Sequence, residues 1–454
     1  MNPNEKRAVK TVRLGGGAGF AGDRLDAPVD LAERGKLDYL ILECLAERTI
    51  ALAQLRRRSD PATGYDARLH ERVESLLPAL VRNRVKLVSN FGAANPLAAA
   101  DAVVDIARRL KLPIKVAAVT GDDVLDALDL SAPTMETGAP LSSFGPVVSA
   151  NAYLGAEAML PALASGADVI LTGRVADPSL FVAPLMHEFG WTLDDVDRLA
   201  RGTAVGHLLE CGGQLCGGYF ADPGRKEVPD MANLGFPFAD VDADGNATLG
   251  KVADTGGCIT RATATEQLLY EVTDPHGYLT PDVVADFSSV TLTESGHDRI
   301  EVRGASGRMR PSQFKVSVGY LAGYVGEGEI GYAGTNAIAR AQLAAQIVRE
   351  RLNGRFSELR IDLVGSTSLH GRAFDDDERP YEVRLRVAAR AKSREEAAIV
   401  GDEVEALYTN GPAGGGGTRK YVTEQIGIVS TLIDRSLVSP QVAVREWKAH
   451  AEAV

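Results

Sequence analysis

Residues 85–119, VKLVSNFGAANPLAAADAVVDIARRLKLPIKVAAV, decide the fold of the first part of the chain. The apolar run at 85–89 predicts a strand, residues 96–110 repeat apolar side chains at helical spacing, and residues 114–119 predict a second strand. Pro96 favours a helix start at this point, because the first helical position needs no N–H donor. A strand, a helix and a strand in this order predict a βαβ unit with parallel strands.

The same alternation of elements extends outward from this unit. Further strands are predicted at residues 11–14, 37–42, 147–149 and 169–171. Further helices are predicted at residues 43–58 and 155–164. The sequence therefore predicts an α/β fold whose N-terminal, mostly parallel sheet is flanked by helices and carries a site at the carboxyl ends of its strands. We place this sheet in a domain of residues 1–310, with a β-rich insertion at about 202–307.

The last third of the chain has a different order of elements. Its apolar patterns predict strands at residues 313–324, 359–364, 381–389 and 421–432, and helices at residues 336–351 and 393–408. This β-α-β-β-α-β order predicts a ferredoxin-like α+β module over residues 311–454. The exposed edge strands of such modules often pair with other strands, so we expect a homo-oligomer.

Charge and composition narrow the classes of partner. The chain has 454 residues, with 49 Lys and Arg against 61 Asp and Glu, and a formal net charge of −12. This balance disfavours a nucleic acid partner, because the phosphates would be repelled. The apolar runs are too short to predict a membrane span. The four cysteines show no C-x-x-C spacing, which predicts reduced thiols in a cytoplasmic protein.

A glycine-rich stretch, GGGAGFAGDR at residues 15–24, follows the first predicted strand. Glycines let backbone N–H groups face an anion without interference from a Cβ. The spacing of glycines also fits a dinucleotide fingerprint, but Pro28 stands where the phosphate-facing helix should begin, which disfavours NAD. The stretch therefore binds a phosphate or carboxylate, or else forms a structural turn. The predicted substrate-binding residues here are Gly16, Gly17, Gly19, Asp23 and, after the next strand, Glu43.

Two further segments place amides and hydroxyls after predicted strands. In SNFGAANP, residues 89–96, Asn90 and Gly92 are predicted to bind a substrate carbonyl or carboxylate. Asn95 is a candidate for the same role, although a helix cap is the favoured interpretation of this residue. Ser149 and Asn151 occupy the equivalent position after another predicted strand.

Charged side chains follow the strand at 169–171. In LTGRVADPS, residues 171–179, Arg174 is predicted to clamp a substrate carboxylate and Asp177 to act as a general base. The alternative is an Arg–Asp pair that locks the loop.

The segment HLLEC, residues 207–211, would place His207, Glu210 and Cys211 on one helix face. His207 and Glu210 are predicted as a catalytic acid/base pair, with a buried, hydrogen-bonded histidine as the alternative. No metal ligand set is predicted, because no established ligand spacing is present. The sequence also lacks the Gly-x-Ser-x-Gly, Walker and zinc-finger patterns.

Six segments together resemble the acyclic terpene utilisation protein AtuA family: VRLGGGAGFAGDR, LDYLILECLAERT, LVSNFGAANP, VILTGRVADPSLF, HLLECGGQLCGGYFADPG and EQLLYEVTDP. The resemblance runs from residue 12 to about residue 438 and implies a bacterial cytoplasmic protein of catabolic operons that also encode acyl-CoA carboxylases, hydratases and dehydrogenases. For the terpene pathway it implies a lyase step on a branched 3-hydroxyglutaryl-CoA-type intermediate that releases acetate. Longer members carry an additional C-terminal segment, so a small partner polypeptide is a further expectation.

We therefore expect a catabolic enzyme that acts by lyase or hydratase chemistry on an acyl-CoA or related carboxylate in terpene or branched-acid degradation. Asp177 or His207 would move the proton. The alternatives are a hydrolase of small thioesters or lactones and a non-catalytic subunit that binds an acyl-CoA carboxylase or hydratase. No cofactor is predicted outright; coenzyme A would enter as part of the substrate, and a divalent metal stays open.

Overall fold

The computed structural model describes residues 10–371 and 380–448, which form two compact units. The first unit comprises the described residues up to Leu141, Val148–Gly319 and those from Ile428 onward. The second comprises Ser142–Val147 and Tyr320–Gly427. Segments of the two units alternate along the chain, whereas the prediction divides the chain once, between residues 310 and 311. The difference arises in part because the last strand returns to the sheet of the first unit.

The strands, numbered in chain order, are β1 (Thr11–Ala18), β2 (Tyr39–Leu42), β3 (Lys86–Ser89), β4 (Ile114–Thr120), β5 (Val147–Ala152), β6 (Val169–Thr172), β7 (Pro237–Asp242), β8 (Ala247–Lys251), β9 (Tyr278–Leu279), β10 (Val284–Asp286), β11 (Thr291–Gly296), β12 (Arg299–Arg303), β13 (Ser306–Arg308), β14 (Gln313–Ala333), β15 (Leu359–Val364), β16 (Glu382–Ala391), β17 (Gly416–Asp434) and β18 (Gln441–Trp447).

The α-helices are α1 (Asp26–Arg34), α2 (Glu47–Ser59), α3 (Leu69–Asn83), α4 (Pro96–Leu110), α5 (Leu160–Ala164), α6 (Ser179–Phe189), α7 (Val196–Leu209), α8 (Arg261–Leu269), α9 (Ala337–Arg351), α10 (Arg394–Glu405) and α11 (Leu407–Asn410). Short 3-10 turns lie at Leu125–Ala127, Leu141–Ser143, Ala156–Met159, Gly212–Gln214, Met231–Asn233 and Arg435–Leu437. Within the described residues, no helix is both long and apolar enough to cross a membrane.

The first unit is built on a large mixed sheet with the strand order β11-β12-β8-β7-β1-β2-β3-β6-β4-β18. The strands from β1 to β4 in this order pair in parallel, as the βαβ pattern predicts. Both ends of the sheet are antiparallel, so the prediction of a mostly parallel sheet is wrong for the outer strands. Tight turns explain two of these pairs, because they join β7 to β8 and β11 to β12 and force each pair to run antiparallel.

Alternate residues of the central strands face opposite sides of the sheet. Leu40, Leu87 and Val116 belong to one buried apolar cluster together with side chains of α1, α3 and α4. Helix α4 occupies the predicted range 96–110, and the Oδ1 atom of Asn95 caps it by accepting a hydrogen bond from the Ala98 N–H at 3.3 Å. Helices therefore cover the parallel strands and leave the strand ends to the loops.

The predicted β-rich insertion does not form a separate layer. Strands β7, β8, β12 and β11 extend the first unit's own sheet, whereas β9, β10 and β13 form a small antiparallel sheet. Helix α7 runs through the predicted start at residue 202. An aspartate explains the turn between β7 and β8, because the Oδ1 atom of Asp242 accepts from the N–H groups of Asp244 and Asn246, both at 2.9 Å.

The second unit contains a sheet with the strand order β15-β16-β14-β17. Along the chain, its elements follow one another as β14, α9, β15, β16, α10, α11 and β17. Strands β14 and β16 pair antiparallel from Tyr324 opposite Ala391 to Ala333 opposite Glu382. Apolar residues of the sheet pack with α9 and α10 in one buried cluster that includes Leu385, Val348 and Val404. The hydrophobic face of each helix is thus buried against this sheet.

Candidate functional site

Polar residues follow three neighbouring parallel strands at the same edge of the sheet. Glu43 comes directly after β2, Asn90 after β3, and Arg174 follows Gly173 after β6. The Nδ2 atom of Asn90 donates to Oε1 of Glu43 at 2.9 Å, and its Oδ1 atom accepts from the Cys44 N–H at 2.7 Å. Asn90 therefore fixes the turn after β2 and holds the Glu43 carboxyl in place.

The Arg174 guanidinium is only 2% exposed and is surrounded by protein groups. It donates to the Leu45 carbonyl and to the Asp177 carboxylate, and its central carbon lies 4.3 Å from the Tyr153 ring centroid. Burial lowers the pKa of Arg174, but the charges of Asp177 and its other neighbours raise it further, so the guanidinium keeps its proton. A substrate carboxylate would have to displace Asp177 to be clamped by Arg174, because the two side chains already form an ion pair.

A buried carboxylate that the sequence analysis missed fixes the backbone of this loop. Asp122 accepts hydrogen bonds from the Arg174 N–H at 2.8 Å and from the Asn151 Nδ2 atom at 2.9 Å. A Cβ on Gly173 would lie 2.3 Å from the Asp122 carboxylate, so glycine is required for this approach. Burial raises the pKa of Asp122 to about 6. Its position just after β4 is the sequence signal that would have found it.

The carboxyl groups around Arg174 outnumber its single positive charge. Burial and the negative charge of Asp177 raise the pKa of Glu43 to about 8, against the lowering effects of Arg174 and Asn90. Burial and the charge of Glu47 also raise the pKa of Asp177, whereas the charge of Arg174 lowers it. The net shift of the Asp177 pKa is upward. Glu43 is therefore protonated at neutral pH, and Asp177 has an unusually high affinity for a proton.

Asp177 lines a cavity of about 450 Å³, a size typical of small-molecule sites. The side chain of Asp177 is 37% exposed, whereas Arg174 behind it is buried. Tyr153, Tyr278 and Lys315 contribute further polar groups to the wall, and most of the rest is apolar. The Lys315 Nζ atom lies 4.9 Å from the Tyr153 ring centroid. Among the described residues, the cavity thus combines one carboxylate and one ammonium group with apolar surface.

His207 and Glu210 form a second buried acid/base pair. The Nδ1 atom of His207 lies 2.8 Å from Oε1 of Glu210, and the imidazole packs against the rings of Tyr278 and Phe287 at 5.2 and 5.8 Å. Burial raises the pKa of Glu210 to about 7, partly opposed by His207. Burial lowers the pKa of His207, but the hydrogen bond and charge of Glu210 raise it above its ordinary value. The pair therefore holds a proton at neutral pH.

Helix α7 ends at Leu209, so Glu210 and Cys211 both follow the helix and do not share a helix face with His207. Burial raises the pKa of the Cys211 thiol to about 12, so it is protonated at neutral pH. A protonated thiol is a weak nucleophile.

The model of the acyclic terpene utilisation family protein AtuA matches residues 12–444. The chain belongs to the AtuA family. The match covers nearly the whole chain and confirms the resemblance of its motifs, and the family implies a role in acyclic terpene utilisation. Searches of curated proteins and of solved structures each found no match.

The glycine-rich stretch of this AtuA-family chain lies in and beside a strand. Strand β1 continues to Ala18, so the predicted strand end before Gly15 is wrong. A Cβ on Gly16 would lie 2.4 Å from the Leu209 carbonyl oxygen, and one on Gly19 would lie 2.7 Å from Cys211. Gly17 is similarly crowded by Leu40. These glycines allow neighbouring segments to approach closely, and Gly16 and Gly17 lie within the strand and not in the structural turn considered above.

The other predicted binding residues support the backbone around the site. Asp23 accepts from the Gly19 N–H at 2.9 Å. Asn95, besides capping α4, donates to the carbonyls of residues 61 and 63 at 2.9 and 2.8 Å. A Cβ on Gly92 would lie 2.6 Å from the Thr172 carbonyl oxygen, and Ser149 is buried within β5. The structure therefore brings Glu43, Asn90, Arg174 and Asp177 together, and joins Asn151 to them through Asp122.

The structure gathers no His, Cys, Asp and Glu side chains in groups of three suited to a metal ion within residues 10–371 and 380–448.

Proposed function

We propose that this AtuA-family chain is an enzyme that breaks a C–C or C–O bond in an acyl-CoA or related carboxylate. The observation that supports this best is the position of Asp177, which lines the 450 Å³ cavity while Arg174 holds it from behind. A partly exposed carboxylate with a raised pKa is suited to take and return a proton near neutral pH.

Asp177 is the general base in this proposal. In a lyase reaction it takes the proton of a substrate hydroxyl while the adjacent C–C bond breaks, which leaves a carbonyl and an enolate. The enolate then takes a proton on carbon. In a hydratase reaction the same carboxylate takes a proton from the carbon beside the thioester carbonyl and returns it to the hydroxyl group, which leaves as water. Both reactions need one base at the cavity wall, and Asp177 occupies that place.

Lys315 binds the anionic end of the substrate in place of the predicted Arg174 clamp. Its ammonium group lines the cavity and is 42% exposed, although it lies 3.8 Å from a Glu47 carboxylate oxygen, whereas Arg174 is buried and paired with Asp177. Tyr278 also lines the cavity, and burial and nearby carboxylates raise its pKa well above the ordinary value, so its phenol stays protonated. A protonated phenol donates a hydrogen bond to a developing enolate oxygen.

A ligand screen by thermal shift tests this function. The purified chain is mixed with 3-hydroxy-3-methylglutaryl-CoA, related thioesters, the free acids, NAD and divalent metals, and a ligand at 100 times its Kd adds about 2.7 kcal/mol of stability. We expect acids or thioesters to raise the Tm of the wild type and to lose this effect in Lys315→Met. The matched control is Lys392→Met, which removes an exposed lysine of the second unit.

The ligands that bind are then tested as substrates by product analysis. A chain that binds none of them, shows no turnover and co-purifies with a carboxylase or hydratase would contradict the enzyme proposal and favour the subunit alternative. Hydrolysis of a thioester would release the free acid and coenzyme A without breaking a C–C or C–O bond of the acyl chain.

We also propose that the second unit is a ferredoxin-like module. Its support is the agreement between the chain order of its elements and the sheet order β15-β16-β14-β17, in which the first and third strands are central neighbours. The edge strand β17 offers free backbone groups to a second copy, which supports the proposed homo-oligomer. Gel filtration at the monomer mass would contradict the oligomer.

A further inference from the structure

A second cavity of about 920 Å³ lies in the first unit, open to solvent, between residues 220–226, α8 and β11. We propose that it binds a nucleoside phosphate, through stacking of the base and pairing of the phosphate with arginines. This site goes beyond the proposed function, because Asp177 lines a different cavity and takes no part here. Free adenine nucleotides and the nucleotide part of coenzyme A both offer this combination of a base and a phosphate.

Cations line this cavity although the chain as a whole carries a net charge of −12. The side chain of Arg225 is 84% exposed, and the carboxylate of Asp222 is 4.0 Å away from it. The Arg261 guanidinium makes no ion pair or hydrogen bond with any described residue, and the residue is exposed. Two guanidinium groups are thus available for the bidentate geometry that phosphate oxygens favour.

The carboxylates of the cavity wall are already engaged. Glu266 accepts a hydrogen bond from the Lys226 Nζ atom at 2.5 Å, and Glu294 accepts from the backbone N–H of Arg261 at 3.1 Å. The negative charge of Glu266 therefore holds Lys226 in place. Because Glu294 already accepts from the first N–H of α8, the phosphate is assigned to the two arginine side chains and not to the helix N-terminus.

Aromatic rings lie beside these cations. Phe220 and Tyr270 line the cavity, and the Lys226 Nζ atom lies 4.6 Å from the Phe220 ring centroid. Tyr219 is 87% exposed at a φ of 63°, and its ring meets Tyr270 edge-on with the centroids 6.5 Å apart. A non-glycine residue at positive φ carries backbone strain, and such strained residues cluster at binding sites. Aromatic faces next to cations are typical of base-stacking sites.

Calorimetric titration of the full chain tests this proposal with ADP, 3′,5′-ADP, adenosine and inorganic pyrophosphate. We expect both nucleotides to bind the wild type more tightly than adenosine or pyrophosphate. Arg261→Gln should weaken both nucleotides and pyrophosphate about tenfold, because a charge-assisted hydrogen bond is lost. Tyr270→Leu should weaken the nucleotides and adenosine but leave pyrophosphate unchanged.

Arg82→Gln is the matched control, because it removes an arginine of 61% exposure on α3, outside the cavity, with the same change of charge. Asp177→Asn should keep full nucleotide affinity, so failure of the proposed function leaves this test intact. Tighter binding of 3′,5′-ADP than of ADP assigns the site to coenzyme A, and the reverse order assigns it to a free nucleotide. No binding to the wild type, or equal affinity in Arg261→Gln and Arg82→Gln, would overturn the proposal.

Discussion

The chain contains two acid/base groups, one partly exposed and one buried, that differ in their access to a cavity. Asp177, held by Arg174, is 37% exposed and lines the 450 Å³ cavity. His207 is 1% exposed, hydrogen-bonded to Glu210 and covered by aromatic rings. Both groups carry raised pKa values, so a shifted pKa alone does not separate them. The comparison teaches that contact with a cavity is the better guide to which group meets a substrate.

The largest effect is expected from Asp177→Asn, which should lower kcat at least about 100-fold by removing the general base. The Tm should change little, because the asparagine oxygen still accepts from Arg174 and Glu43 can ionise in its place. The surface pair Arg108–Asp105 has the same i,i+3 spacing, so Asp105→Asn is the matched control and should leave kcat unchanged. Equal kcat in the two variants would remove Asp177 from the mechanism.

Arg174→Met should cost about 1–3 kcal/mol of unfolding free energy, because it leaves the Leu45 carbonyl and the partly exposed Asp177 carboxylate without their hydrogen-bond donor. The equivalent surface change, Arg108→Met, should cost less than about 1 kcal/mol. Urea denaturation at neutral pH measures both. A loss of similar size in the two variants would show that burial of the Arg174 pair makes no difference to its energetics.

Glu43 should make stability depend on pH. Its pKa is about 8 in the folded chain and 4.5 in its ordinary state, so the folded chain binds more protons between these values. The free energy of unfolding should therefore fall as the pH rises from 4.5 towards 8, by up to about 1.4 kcal/mol per pH unit. Glu43→Gln should flatten this slope in urea denaturation series, and a slope equal to that of the wild type would contradict the shift.

The smallest catalytic effect is expected from His207→Gln. Because the imidazole does not line the cavity among the described residues, kcat should fall less than about tenfold, while the lost hydrogen bond to buried Glu210 should cost about 1–3 kcal/mol. Measuring both kcat and urea denaturation on the same variant separates the effect on catalysis from the effect on stability. A fall in kcat comparable to that of Asp177→Asn, with an unchanged Tm, would make His207 a catalytic residue and reverse the comparison.

Local sequence signals predicted the parts of the site that depend on neighbouring residues. Asn95 and Pro96 predicted the start of α4, and the i,i+3 spacing of Arg174 and Asp177 allowed their ion pair. The chain order of strands predicted that Glu43, Asn90 and Arg174 would meet at one sheet edge. The predicted end of β1 before Gly15 was wrong, because the segments that pack against these glycines, at Leu209 and Cys211, are distant in sequence.

The sequence by itself determined the βαβ units, the family and the residue types at the strand ends, because these follow from short-range periodicity and from contiguous motifs. Only the tertiary structure decided which of those residues faces a cavity. Tyr153, Tyr278 and Lys315 reach Asp177's cavity from separate elements, and Asp122 reaches the Arg174 loop from β4. Such contacts join residues that are far apart in the chain. They also bury the ionisable groups of the site and so set their pKa values, which no local stretch of sequence encodes.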